Sequence, residues 1–397
     1  MAEQGEIAPP PRLVHLTTTD MSLAMLLGPQ LEAFAAAGFE VIGVSASGPF
    51  VTVLKARGVR HVPLRHATRA AAPYHDLQAL GELVRLFRRL VPDIVHTHNP
   101  KPGVYGRLAA RAAGVPAVVN TVHGLYALPE DRWAKRAVVY GLERVAATCS
   151  HAELVQNPED IETLASLGVP RSKLHLLGNG VDLRRFDVDR GRCRRQRVRA
   201  ELGFGPDDVV VGAVGRLVAE KGYLELFQAA TVVMASRSNA RFLVAGPADL
   251  DKGDALSSEV IGRAQAAGVR FLGFRSDVED LYSAMDVYVL ASHREGFPRS
   301  AMEAAAMALP VVATDVRGCR QVVDDRVSGL LVPVGDAAAL AAAIDELVAS
   351  ATLRRSMGRA SRAKAVAEFD QRRVIDLTLD VYASLLRPRP PGLVLRP

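Results

Sequence analysis

The chain has 397 residues, beyond the roughly 250 to 300 at which a single hydrophobic core stops growing, so two domains are the first expectation. Apolar residues make up 49% against 23% charged, which excludes extended disorder, and Lys plus Arg exceed Asp plus Glu by 49 to 43. That mild excess suits phosphate-bearing ligands or an anionic membrane. Nucleic acid has no support, because aromatics are only 5% and no basic run is interleaved with stacking residues.

Cys149, Cys193 and Cys319 are few, odd in number and far apart, which gives neither a disulfide framework nor metal-ligand spacing. The opening "MAEQGEIAPPPR" is acidic and proline-rich where a secretory leader is basic and then apolar. With no uninterrupted apolar stretch near ~18 residues, the expectation is a cytoplasmic chain, or one that rests on a membrane without crossing it.

From Arg12 onward, β-rich runs alternate with helical patterns: "RLVHLT", a helix over residues 22–37, "FEVIGVS", a helix over 76–90, "DIVHTH", a helix over 100–113, and "PAVVNTVH". The strands read as continuous apolar runs, as they do when both sheet faces are covered, so a doubly wound parallel sheet is predicted. The charged stretch 187–201 has no apolar period and is read as the connection between domains. The pattern then restarts with "DDVVVGAVGR", "ARFLVAG", "VRFLGF", "DVYVLAS", "PVVAT" and "GLLVP", separated by helices near 222–236, 255–266, 277–284, 298–308 and 336–348.

The fold class is therefore α/β, with two Rossmann-like parallel-sheet domains. Domain one spans residues 1–185 and domain two 195–370; a helix over 371–387 crosses back to the first, and 388–397 form a flexible tail. Ligands in such folds bind beyond the carboxyl ends of the strands, so the motifs should cluster in the loops after them.

Two stretches stand there in the second half. In "GAVGRLVAEKGY" a strand ends at Gly215, Arg216 follows, and Lys221 precedes the next helix. A planar guanidinium and a compact ammonium suit a diphosphate, although a basic turn facing only solvent has the same sequence. In "HREGFPRSAMEAAAMALPVVATDVRG" Pro298 opens a helix, whose free amides around Gly296, Phe297, Arg299 and Ser300 make a seat for an anion. Glu295 precedes that helix and Glu303 lies inside it. Carboxylates grip vicinal hydroxyls, but Glu295 as a helix cap and Glu303 as the partner of an arginine fit the same residues.

"GRLVAEKGY", "NGVDLRRF" and the stretch 273–318 resemble the retaining glycosyltransferases of family 4, which have the GT-B fold. The resemblance spans nearly the whole chain. It implies that Glu295 contacts a donor sugar and Glu303 the ribose of its nucleotide. It further implies that Arg216 and Lys221 hold the donor diphosphate and that backbone near Phe274 and Arg275 meets the base, with UDP favoured over GDP. His123, after a strand, matches the family's histidine near the reacting sugar.

On the acceptor side, "HNPKPG" places Asn99 as a cap and Lys101 at a positive helix end, suited to an acceptor phosphate. Similar stretches occur in members that build glycans on polyprenyl diphosphate. A Gly-Gly pair common in the family after the first strand is replaced here by "TTTDMS", which shifts that loop toward acceptor binding through Asp20. His96 and His98 form an HxH pair without an evident third ligand, and "DVD" (187–189) and "DLD" (249–251) are short acidic triplets; no metal and no resident cofactor are expected, the nucleotide-sugar being a co-substrate. The basic helix near 132–147, with Trp133 and Tyr140, is a candidate for membrane contact. A 2-epimerase acting on a nucleotide-sugar, a transferase for a small acceptor such as an aminocyclitol, and a catalytically silent glycan-binding module remain as alternatives.

Overall fold

The computed structural model describes residues 9–68, 72–98, 100–127, 131–248 and 253–386. They form two compact units, one ending at Gly178 and resuming at Val374, the other running from Asn179 to Arg373.

Unit 1 contains the strands β1 (Arg12–Thr19), β2 (Glu40–Ala46), β3 (Arg60–Pro63), β4 (Ile94–His98), β5 (Ala117–Val122), β6 (Ala152–Val155) and β7 (Leu174–Leu176). They lie in the order β3-β2-β1-β4-β5-β6-β7, every neighbouring pair parallel. Every residue of β4 and β5 is buried, the polar His96, Thr97, His98, Asn120 and Thr121 included, as both faces of these strands are covered. One face carries Val14, Leu16, Ile42 and Val95 with the helices Pro73–Leu90 and Lys101–Ala113. The other carries Leu13, Ile94 and Val119 with Phe34 and with Tyr382 of the helix Gln371–Leu385.

The helix expected over 22–37 is split into a π-helical turn, Ser22–Leu26, and a helix, Gly28–Ala36. Pro29 has no amide hydrogen to continue the ladder, so a new helix starts there. The sheet also has three strands more than expected, β3 at one edge and the short β6 and β7 at the other. A buried ionic cluster fastens the helix Lys101–Ala113 to β6 and to the helix Trp133–Ala147: Arg107 donates to Glu153 at 2.6 Å and to Glu143 at 2.7 Å.

Unit 2 has β8 (Val209–Val214), β9 (Ala240–Ala245), β10 (Val269–Phe271), β11 (Val287–Leu290), β12 (Val311–Thr314) and β13 (Gly329–Val332), in the order β10-β9-β8-β11-β12-β13, all parallel. The helices Tyr223–Ser236 and Ala337–Ala349 cover one face, and Arg299–Ala306 and Val278–Ala284 the other.

Stretch 187–201 is a correction. It is no linker but a helix, Val188–Glu201, capped by the Asp187 carboxylate, which accepts from Arg190 N at 2.9 Å. Its stability comes from ionic rather than apolar periodicity: Arg195 and Arg199 bind Asp286, while Arg194 and Arg197 bind Asp280. Residues 179–185 group with unit 2, where Val181 N donates to Phe369 O at 2.8 Å.

Candidate active site

In each sheet the strand order reverses direction once, between β1 and β4 in unit 1 and between β8 and β11 in unit 2. A crevice opens beyond the carboxyl ends at such a point. In unit 2 the chain leaving β8 is Gly215-Arg216 and the chain leaving β11 leads through Ser292 to Glu295.

Two close backbone approaches fix the basic turn there. Gly222 has φ 68°, and a Cβ on it would stand 1.9 Å from Ala291 O; Gly246 has φ 155°, and a Cβ would stand 1.8 Å from Gly215 O. Only glycine fits either place. The turn is tied to the loop after β11 by His293 N donating to Glu220 O at 2.9 Å. Lys221 Nζ then meets Glu295 Oε1 at 2.5 Å, and Ser292 Oγ donates to the same oxygen at 2.7 Å. Beneath them, a Cβ on Gly318 would lie 2.7 Å from both Glu295 O and Gly296 O, so the helix Arg317–Val322 supports the acidic loop closely.

The helix Arg299–Ala306 begins after Pro298 with no side-chain cap hydrogen bond, its positive end facing the loop that carries Glu295. Asn179 Nδ2 donates to Phe297 O at 3.1 Å and holds the preceding loop. Glu303 sits inside this helix, accepting from Tyr282 Oη at 3.0 Å and from Arg299 Nε at 3.2 Å. Burial raises its pKa, against the opposing pull of Arg299 and Tyr282. Glu295 does not cap the helix, while Glu303 does pair with an arginine. Both carboxylates act on buried Tyr288, whose pKa burial drives well above its ordinary value and whose hydroxyl donates to Val214 O at 3.3 Å. The basic turn, Glu295, the helix mouth and Glu303 therefore converge around the ends of β8 and β11.

Phe274 follows β10 and is largely exposed, whereas the Arg275 guanidinium is committed to Asp277 at 2.6 and 2.7 Å. Any contact with a base at this place falls to Phe274 and the backbone.

In unit 1, Asp20 follows β1, but its two oxygens accept from Met21 N and Phe50 N, each at 2.8 Å, and the residue is buried. It anchors two loops. Lys101 opens its helix as predicted and lies 2.6 Å from Asp76 Oδ1, a half-buried ion pair rather than a solvated lysine. Asn99 lies outside the described residues, as do 249–251. Asp187 and Asp189 of the other triplet are a helix cap and the partner of Arg192. His123 follows β5, with its Nε2 2.9 Å from His98 Nδ1.

Three residues that hold the site were missed: Ser292 and Tyr282, which orient the two glutamates, and His15, which stands beside His96 and His98. A lone serine and a tyrosine in an apolar helix carry no signal in one sequence. His15 lies on β1, far in sequence from its companions.

Two Rossmann-like parallel-sheet units, with a basic turn and paired glutamates at the switch point of the second, define the GT-B class of glycosyltransferases. Residues 194–364 match the family described as "Glycosyl transferases group 1" and residues 30–185 match "Glycosyltransferase Family 4". The chain is 30% identical over 316 residues to the UDP-Gal:alpha-D-GlcNAc-diphosphoundecaprenol alpha-1,3-galactosyltransferase of Escherichia coli, covering 78% of this chain and 80% of that one. It is 27% identical over 382 residues to the capsular polysaccharide biosynthesis glycosyltransferase CapM of Staphylococcus aureus, covering 95% and 98%. The fold matches Anabaena Alr3699/HepE in complex with UDP and glucose with a TM-score of 0.77 at 19% identity, over 94% and 99% of the two chains. The chain belongs to glycosyltransferase family 4.

Proposed function

We propose that this glycosyltransferase moves a hexose or N-acetylhexosamine from a UDP-sugar to a hydroxyl of a glycan carried on polyprenyl diphosphate, with retention at the anomeric carbon. The observation that carries this reading is the 2.5 Å contact of Lys221 with Glu295, which joins the phosphate-binding turn to the sugar-binding carboxylate. The name of the Escherichia coli galactosyltransferase, 30% identical, supports both a UDP donor and a diphosphoundecaprenol acceptor.

Lys221 spends one of its three hydrogens on Glu295 and turns the rest, with Arg216, to the donor diphosphate. The amides opening the helix Arg299–Ala306 add partial positive charge. Glu295 and Glu303 accept from sugar and ribose hydroxyls. In front-face attack the acceptor oxygen bonds to the anomeric carbon as the bond to the phosphate oxygen breaks, and the acceptor's proton passes to that leaving oxygen. The cationic side chains stabilise the charge developing on the diphosphate, the part a metal ion plays in other transferases.

The acceptor brings a membrane with it. The helix Trp133–Ala147 turns its charged Glu143 inward to Arg107 and its apolar side outward: Val138, Leu142 and Val145, spaced four and three residues apart, are 62%, 50% and 56% exposed, with Trp133 at 80%. Arg132 and Arg144 flank that stripe. An apolar face edged with cations suits an anionic bilayer surface. Among the described residues no helix is long and apolar enough to cross a membrane.

The test begins with a thermal-shift screen of UDP- and GDP-sugars, since a ligand at ~100 times its Kd adds about 2.7 kcal/mol. UDP release is then measured with and without undecaprenyl-diphosphate-linked GlcNAc, and the anomer of the product read by NMR. Release that requires the lipid-linked acceptor and gives the retained anomer is expected. Equal release without acceptor, an inverted anomer, or turnover only with a water-soluble aminocyclitol overturns the reading.

A further inference from the structure

Four histidine rings of unit 1 form one hydrogen-bonded chain. Tyr382 Oη, on the helix Gln371–Leu385, bonds His96 Nδ1 and lies 3.3 Å from His15 Nε2. His15 Nδ1 is 3.1 Å from His98 Nε2, and His98 Nδ1 is 2.9 Å from His123 Nε2. His123 ends the chain on the side chain of Gln156, and His96 Nε2 branches to Thr121 Oγ1 at 2.7 Å. Tyr382 and His15 are fully buried, His96 and His98 nearly so, and His123 partly.

Burial keeps every member neutral at physiological pH: it lowers the pKa of His15 to about 3 and of His123 to about 4, puts His96 and His98 well below the ordinary value, and raises Tyr382. A neutral imidazole has one N–H and one bare nitrogen, so each ring must donate on one side and accept on the other. The phenol has a single hydrogen and two ring neighbours.

Two arrangements satisfy every bond. If Tyr382 donates to His15, then His15, His98 and His123 each carry hydrogen on Nδ1, and His96 donates from Nδ1 to the phenol oxygen. If Tyr382 donates to His96, all four rings carry hydrogen on Nε2, His96 donates to Thr121, and Gln156 must donate to His123. No ring changes alone.

We propose that Tyr382 is a positioning residue for His123, acting through His15 and His98 as a single relay whose four rings hold one common tautomer. The relay sets which polar atoms surround His123 at the carboxyl end of β5. Its bearing on sugar transfer rests on the function proposed above, but its existence does not.

The experiment is long-range proton–nitrogen NMR on the full chain labelled with 15N-histidine, at neutral pH and without substrate. In the wild type His15, His96, His98 and His123 are expected to report the same tautomer, or the same average of two. Opposite tautomers within the set overturn the proposal on the wild type alone. In Tyr382→Phe the ring nitrogens of His123 are expected to shift although it does not touch the substituted residue. Should that variant not fold, His15→Asn, which reaches His98 but not the phenol, tests the same shift. Unchanged His123 nitrogens in a folded variant overturn the relay. So does stoichiometric binding of Zn²⁺ alone that moves the His15, His96 and His98 signals, which would make the cluster a metal centre. Where the transferase assay works, Tyr382→Phe is expected to lower kcat on the order of tenfold with the donor KM unchanged. A purely structural tyrosine would lower Tm and leave the tautomers alone.

Discussion

Lys221 and Glu295, 74 residues apart, meet at 2.5 Å because glycine at position 222 lets the basic turn come within contact of the chain leaving β11. Lys221 ends the short 3-10 turn Ala219–Lys221 and Glu295 sits in the loop after β11, and His293 N, donating to Glu220 O, fastens the two segments to one another. An ammonium and a carboxylate from two separate loops are thus held against one another in unit 2.

Removing that ammonium should therefore strike the chemical step. Lys221→Ala is expected to lower kcat by a factor of ~10² to 10³, the usual cost of losing one electrostatic contact to a developing anion. Steady-state kinetics with saturating donor check it. Wild-type turnover would remove Lys221 from the transition state.

Glu303 has a different dependence. Its oxygens are oriented by Tyr282 and Arg299, so Tyr282→Phe leaves the charge in place and loosens its aim. A lost buried hydrogen bond of about 1.4 kcal/mol should raise the donor KM roughly tenfold while kcat stays within about twofold. Calorimetric titration with UDP gives the same loss as a Kd. An unchanged KM and Kd would place Glu303 away from the nucleotide.

The central strands of both sheets were legible in the sequence because parallel strands covered on two faces read as runs without alternation, such as "DVYVLAS" and "PVVAT", whereas the short strands β3, β6 and β7 were not. The two glutamates and the basic turn were legible because position after a strand is itself information. The helix Val188–Glu201 was not, since it is stabilised by arginines reaching Asp280 and Asp286, some ninety residues away, and leaves no apolar period. Ser292, Tyr282 and His15 escaped for a related reason. Each acts by touching a residue brought near only by the fold.

The histidine relay makes unit 1 sensitive to acid. Rings whose folded pKa lies far below the unfolded 6.5 bind fewer protons folded than unfolded, so stability is retained above about pH 6.5 and lost as pH falls toward the folded values near 4 and 3. Each ring costs up to about 1.4 kcal/mol per pH unit in that window. Urea unfolding at pH 7 and 5.5 should show the loss, and His15→Phe should flatten the slope. Equal stability at both pH values would mean that the rings are charged or solvated in the folded chain.

Membrane contact, if it runs through the helix Trp133–Ala147, has two separable parts. Trp133→Ser with Leu142→Gln removes apolar surface that is already in water, so the fold loses little. Cosedimentation with vesicles containing phosphatidylglycerol should fall severalfold, and added salt should weaken wild-type binding further by screening Arg132 and Arg144. Turnover of a lipid-linked acceptor in vesicles should drop in step, while turnover of a detergent-soluble acceptor should not. Vesicle binding unchanged in the double variant would move the membrane-facing surface elsewhere on the chain.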